Sequence, residues 1–104
     1  MMQMMRGDSY EIAITLKDEQ NHTITDADVA EVEIALGDLI KTYSSGAVIY
    51  DDGKWLFPVT QGETLSAVAA INTLQVRVKY TIGDVVGAKV GKVYVHPSAS
   101  NEVL

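Results

Sequence analysis

Apolar and polar residues alternate with a period of two along three stretches of the chain. The positions that share one face in each stretch are Tyr10, Ile12, Ile14 and Leu16, then Ala30, Val32, Ile34 and Leu36, then Leu74, Val76, Val78 and Tyr80. Successive side chains of a strand point to opposite faces, so this alternation is typical of strands with one buried face and one wet face. The pattern predicts an all-β antiparallel domain.

Clusters of turn-forming residues separate these stretches at short intervals. Hairpin reversals are expected at Gly37-Asp38, Ser44-Ser45-Gly46, Asp51-Asp52-Gly53 and Gly83-Asp84. Glycine as the first of two loop residues supplies the positive φ of a type II′ turn, which suits both Gly-Asp pairs. The expected strands are 9–16, 29–36, 39–43, 47–50, 54–59, 73–81 and 85–95. About seven short strands of this kind predict an immunoglobulin-like antiparallel β-sandwich.

Two connections are longer than a hairpin turn. Residues 17–28 are polar and long enough to cross from one sheet to the other, as in a Greek key. The sequence from Thr60 to Glu63 matches a capping box, so one short helix is expected from Gln61 to Ala67. The apolar alternation changes phase near Gly91, which predicts a bulge or bend in the last strand.

The domain organisation follows from these elements. Residues 1–8 are expected to form a flexible N-terminal leader, residues 9–96 the β-sandwich, and residues 97–104 a C-terminal tail. The methionine-rich start is too short for a signal-peptide core and has no small-residue cleavage site. No apolar stretch approaches the ~20 residues needed to cross a bilayer, so we expect no membrane association.

Composition and charge narrow the partners. The chain has no cysteine, so packing and strand pairing must stabilise it without disulfides. A net charge of −6 with eight dispersed basic residues disfavours nucleic acid and anionic membranes. Residues 1–38 hold nine acids and two bases, and residues 39–104 hold five acids and six bases. This asymmetry suits either a solvated acidic surface or an electrostatic contact with a partner.

Candidate catalytic and metal-binding residues are scarce. His22 and His96 have no second His, Cys or carboxylate at a ligand spacing. The sequence Asp26-Ala27-Asp28 lacks the glycine and distal glutamate of a calcium loop, and Asp51-Asp52 fits an ordinary turn. The serines have no nucleophile-elbow context. We therefore expect no catalytic residue, no metal site and no cofactor, and a protein that is not an enzyme.

Two aromatic side chains leave an alternative open. Trp55 and Phe57 alternate on one face of an expected strand, where aromatics fill a core or line a sugar-binding groove. A carbohydrate-binding or adhesion module that uses these rings is therefore the alternative function. The tripeptide Arg6-Gly7-Asp8 also matches the integrin-binding motif.

The order of several segments resembles a known family. Arg6-Gly7-Asp8-Ser9-Tyr10 opens the first strand, Lys17-Asp18-Glu19-Gln20 forms a turn, and Ile24-Thr25-Asp26 precedes the next strand. This order resembles small prophage tail and baseplate proteins and the N-terminal β-sandwich module of phage baseplate upper proteins. Later segments are similar to stand-alone prophage proteins of this length, namely Lys41-Thr42-Tyr43-Ser44, the stretch from Lys54 to Gln61, and the stretch from Gln75 to Lys79.

The resemblance implies a function but no catalytic residue. It implies a non-enzymatic structural component of a phage or prophage tail or baseplate that acts through protein–protein contacts. The expected partners are other tail and baseplate proteins and further copies of the chain. The expected location is the bacterial cytoplasm during assembly and then the virion.

Overall fold

Strands dominate the computed structural model, which describes residues 2–66 and 71–97. One short helix, α1, covers Gln61–Ser66 within those ranges. The strands in chain order are β1 (Met2–Met5), β2 (Tyr10–Ile14), β3 (Val29–Leu36), β4 (Leu39–Thr42), β5 (Ile49–Asp51), β6 (Lys54–Val59), β7 (Ile71–Tyr80) and β8 (Val85–His96).

These strands form two sheets that pack face to face. The larger sheet has the order β1-β8-β7-β3-β4 and the smaller one has the order β2-β6-β5. The strands pair antiparallel except for β1, which runs parallel to β8. An immunoglobulin-type sandwich places its third, sixth and seventh strands in one sheet and its second and fifth in the other. With β1 counted as the first strand and β4 as the extra strand after the third, the chain follows this connectivity, so the all-β sandwich is confirmed.

The inner faces of both sheets meet in one apolar core. Trp55 and Phe57 of β6 are fully buried in it. The indole Nε1–H of Trp55 donates a hydrogen bond to the Ile24 carbonyl over 3.2 Å. Tyr43 and Tyr50 lie against the indole, with ring centroids 5.1 and 4.8 Å away. The polar atom of the largest core side chain is therefore satisfied, and its faces are covered.

The alternation predicted from sequence is confirmed with one exception. The even-numbered positions of β2, β3 and β7 line the core, but Ala30 is exposed and Val29 is buried. A register shift lies between Val29 and Glu31 in the pairing of β3 with β7. The irregularity moves the start of β3 by one residue, and a one-residue shift exchanges the two faces. The placement of Ala30 on the core face was therefore wrong.

The turns confirm two of the four expected hairpins and change a third. The fourth, at Ser44-Ser45-Gly46, was wrong, because this turn leads from β4 in the larger sheet to β5 in the smaller one. Gly37 has φ 57° at the first loop position between β3 and β4, and an added Cβ would meet Asn72 Oδ1 at 2.7 Å. Asp52 and Gly53 both have positive φ between β5 and β6, as a type I′ turn requires. The β7–β8 loop spans residues 81–84, so the two-residue turn expected at Gly83-Asp84 was wrong. There the Gly83 amide closes a turn by donating to the Tyr80 carbonyl.

The longer connections take the expected routes. Residues 17–28 carry the chain from β2 in the smaller sheet to β3 in the larger one, stabilised by a bridge between Lys17 and Thr23. The helix begins directly after Thr60, as the capping box predicts, whereas Ala67 lies outside the described residues. The register of β7 against β8 shifts between Leu74 and Gln75, opposite Gly91, which confirms the bulge.

The N-terminal segment differs from its expectation. Residues 1–8 were expected to form a flexible leader, but Met2–Met5 form β1 beside β8, and Met4 is buried in the core. The run of methionines has no alternation with polar residues, so the period-two criterion missed this strand. Of the expected tail 97–104, only Pro97 falls within the described residues.

We expect Trp55→Ala to lower the free energy of unfolding by about 3–5 kcal/mol, since it leaves a large cavity and an unpaired Ile24 carbonyl. Urea denaturation followed by circular dichroism measures this difference. Ile82→Ala is the control, because Ile82 is 82% exposed and its truncation should change stability by less than about 0.5 kcal/mol. Equal losses for the two variants would contradict the central place of the indole.

Candidate interaction surface

The two rings considered as a sugar platform are unavailable to a ligand. Trp55 and Phe57 are both 0% exposed. A ring must present one face to solvent to stack on a sugar, and Trp55 is covered by Tyr43 and Tyr50. The platform interpretation of these two residues is therefore wrong, and the core interpretation is confirmed.

The Arg6-Gly7-Asp8 segment is held against the helix. The Arg6 guanidinium donates to the Leu65 carbonyl from Nε (3.2 Å) and Nη2 (2.6 Å). The Gly7 amide donates to Thr64 Oγ1 (3.0 Å), and that hydroxyl donates to the Asp8 carbonyl (2.7 Å). Thr64 is fully buried. These contacts explain the tripeptide as a structural link that ties the β1–β2 turn to α1.

The histidines and acidic pairs do not assemble into a reactive centre. His22 is exposed beside Asp18, with Nδ1 3.7 Å from Oδ2. His96 at the end of β8 contacts Gln3 through Nε2 (3.0 Å) and the Tyr94 ring. Within residues 2–66 and 71–97, no three His, Cys, Asp or Glu side chains lie close enough together to hold a metal ion.

A cavity of about 300 Å³ lies beside α1, between the ends of the two sheets. Its polar lining includes Glu63 and Thr64. Glu63 Oε1 accepts hydrogen bonds from Lys41 Nζ (2.8 Å) and the Thr60 amide (2.8 Å). The Glu63 amide in turn donates to Thr60 Oγ1 (3.2 Å), which completes the capping box. These side chains therefore serve the helix and its attachment to β4.

The electrostatics of Glu63 follow from those contacts. Burial raises the pKa of its carboxyl, but the hydrogen bonds from Lys41 and Thr60 outweigh burial, so the pKa lies below its ordinary value of 4.5. Burial likewise raises the pKa of Glu31, and the hydrogen bonds from the Ser44 hydroxyl and amide lower it further than burial raises it. Both carboxylates hold local structure, one at α1 and one at the β4–β5 turn.

β8 presents a long stretch of strand edge that has no neighbouring strand in the described part of the chain. β1 pairs with Val93–His96 only, so the eight residues Val85–Lys92 have no neighbouring strand on that side within the described chain. We call this stretch the open β8 edge. Its outward-facing backbone amides and carbonyls are available to an extended strand from another molecule.

Apolar side chains surround the open β8 edge. Ile82 in the preceding loop is 82% exposed, Val85 is 59% exposed and Val86 is 55% exposed. Val86 pairs with Val78 of β7, which is buried. The smaller sheet therefore covers β7 at Val78 but leaves β8 uncovered at Val86. Exposed apolar residues beside unpaired backbone are typical of a protein contact site.

A second edge without a neighbour lies in the smaller sheet. β2 pairs with β6 on one side and with no described strand on the other. An immunoglobulin-type sheet of four strands has a further strand at this position, but here β1 lies in the larger sheet instead. The outer face of β2 carries the exposed residues Glu11 and Ala13.

Charge divides between the two parts of the molecule. Residues 1–66 contain twelve acidic and four basic residues, whereas residues 71–97 contain one acidic and four basic residues. The β7–β8 hairpin is therefore basic, and the remainder of the sandwich is acidic. The β2 edge, which carries Glu11, and the β8 edge, which carries Lys92, therefore have opposite charge.

Comparisons with known proteins give no relative: no family model, no curated protein and no solved structure matches the chain. No helix within the described part of the chain has the length and apolar character needed to span a bilayer.

We expect Glu63→Gln to lower the free energy of unfolding by roughly 1 kcal/mol at neutral pH, because it removes the ion pair and weakens the helix cap. The folded pKa is depressed, so this contribution is present above about pH 4.5 and is lost as the pH falls through the lower folded pKa. The difference between the two proteins should therefore shrink in acid. Urea titrations across this pH range measure it, with Glu19→Gln as the exposed control; a difference that is constant with pH would contradict the assignment.

Proposed function

We propose that this protein is a non-enzymatic structural component of a phage or prophage tail or baseplate, which assembles with further copies of itself and with other tail proteins through strand edges. The observation that carries the proposal is the open β8 edge, where eight residues lack a neighbouring strand on one side within the described chain, next to exposed Ile82, Val85 and Val86. The order of motifs from Arg6 to the strand at Val29 supports the assignment to the tail.

The physical argument concerns what an open edge offers. An extended segment that joins a sheet edge gains backbone hydrogen bonds along its length, and the flanking apolar side chains add burial. Soluble proteins commonly protect such an edge with a charge, a proline or a covering loop. Between Val85 and Ala88 this edge has no charged residue and no proline. The stretch therefore suits a partner strand better than permanent contact with water.

A structural role also fits the distribution of polar contacts. The ion pair of Lys41 with Glu63 joins the helix to β4, and the ion pair of Arg77 with Glu33 joins β7 to β3. They stabilise the scaffold that presents the edge. The proposed location is the bacterial cytoplasm during assembly and then the virion.

We expect the protein to be present in purified tails or virions from an induced lysate of the bacterium that encodes it, at a fixed ratio to the other tail proteins. Quantitative mass spectrometry of gradient-purified particles measures that ratio. Val86→Lys should reduce incorporation, because a lysine at the edge opposes strand addition. Ile40→Lys on β4 is the matched control, since Ile40 is 58% exposed and lies on the opposite edge strand.

Two results would count against this proposal. The first is absence of the protein from purified particles whose other tail proteins are all detected. The second is equal incorporation of the Val86→Lys and wild-type chains, which would remove the open β8 edge from assembly.

A further inference from the structure

We infer that two copies of this chain form a closed dimer in which the open β8 edge of each copy pairs with the β2 edge of the other. The inference deepens the proposed function by naming a second copy as the partner at that edge. It rests on the position, direction and charge of the two edges.

The two edges lie on the same side of the sandwich. At one side, residues 43–48 connect β4 to β5, and the Val48 amide donates to the Thr42 carbonyl. β4 and β5 are edge strands of the larger and the smaller sheet, and they lie on the same side of the sandwich. The opposite edges, formed by β1-β8 and by β2, therefore lie together on the other side. The short turn of residues 6–9 from β1 to β2 connects the sheets there.

The two edges also run in opposite directions. β1 is parallel to β8, and residues 6–9 reverse the chain into β2, with the Asp8 amide donating to the Met5 carbonyl within the turn. β2 is therefore antiparallel to β8. Consider a two-fold axis that runs parallel to the strands at this side of the molecule. It places the smaller sheet of one copy level with the larger sheet of the other. Each β8 then lies beside the partner's β2 in the antiparallel orientation, and both contacts are equivalent.

Charge selects this pairing over the pairing of β8 with itself. The open β8 edge includes Lys92, which is exposed, and no acidic residue. Two β8 edges side by side would bring like charges together, which is unfavourable. β2 carries Glu11 on its exposed face, and Asp8 precedes it. Pairing β8 with β2 therefore brings a negative charge beside the positive charge of β8.

Apolar coverage supports the same arrangement. Val86 lies on the inner side of β8, opposite the buried Val78, and is exposed because the smaller sheet stops short of it. In the dimer, the larger sheet of one copy continues into the smaller sheet of the other. This continuation extends the covered area over Val86 and gives both open edges a neighbour.

We expect sedimentation velocity on the purified chain to show a dimer that weakens as salt is added, because exposed charges are screened. Lys92→Glu alone and Glu11→Lys alone should each weaken dimerisation by about tenfold, since each change acts twice in a two-fold interface. The double variant Glu11→Lys with Lys92→Glu should restore affinity to within about threefold of wild type. Amide exchange of residues 85–92 should slow on dimerisation, with no matching change in β4.

The controls separate this pairing from a general charge effect. Lys54→Glu makes the same change in net charge as Lys92→Glu, but Lys54 lies opposite Asp51 of β5 and on neither of the two edges that pair, so the change should leave the dimer unchanged. Val86→Lys should prevent dimerisation, whereas Ile40→Lys should not.

Three outcomes would overturn the inference. They are a monomer at all concentrations, a dimer that the charge reversals leave unchanged, and an open-ended series of larger assemblies. A chain that is monomeric alone but is present in purified particles would reject this dimer and leave the tail function standing. Absence from particles together with a dimer of the expected properties would do the reverse.

Discussion

Two sheets of unequal width pack against each other, and this inequality determines which residues form the core and which remain at the surface. The three strands of the smaller sheet cover the central parts of β7 and β3, so Val76 and Val32 are buried. They do not cover β8 near Val86. This residue therefore remains exposed, although it lies on the same face of the sheet as the buried Val78. Hydrophobic burial stabilises the centre of the molecule, and the same geometry leaves an apolar margin at one side.

The position of β1 follows from the polar link between the first turn and the helix. Arg6 donates to the Leu65 carbonyl at the end of α1, and the buried Thr64 hydroxyl bonds to both Gly7 and Asp8. These contacts fix where the chain leaves β1 and enters β2. They place β1 in the larger sheet, beside Val93–His96 of β8. Within the described chain, one side of Val85–Lys92 and one side of β2 are therefore left without a neighbouring strand.

Most of the fold could be predicted because its strands are half-buried and alternate cleanly. β3 and β6 have the expected bounds, and the Thr60 capping box and the Gly91 bulge lie where local chemistry placed them. β1 could not be predicted in the same way, since its burial comes from contact with a strand some ninety residues later and not from its own pattern. The irregularity near Ala30 was hidden for the same reason, because the register of β3 is set by its partner β7.

The candidate surface was harder to predict than the core. The sequence predicts Val85 and Val86 as ordinary strand residues. Only the sheet order shows that one side of their strand is unpaired in the described part of the chain. The charge asymmetry was visible in the sequence, but its meaning depends on which strands reach an edge. A basic β8 and an acidic β2 on the same side of one molecule give complementary surfaces without any change of fold. Backbone hydrogen bonds can join any two strand edges, so they do not select a partner. Complementary charge decides which edges meet, and it favours the pairing of an acidic edge with a basic one.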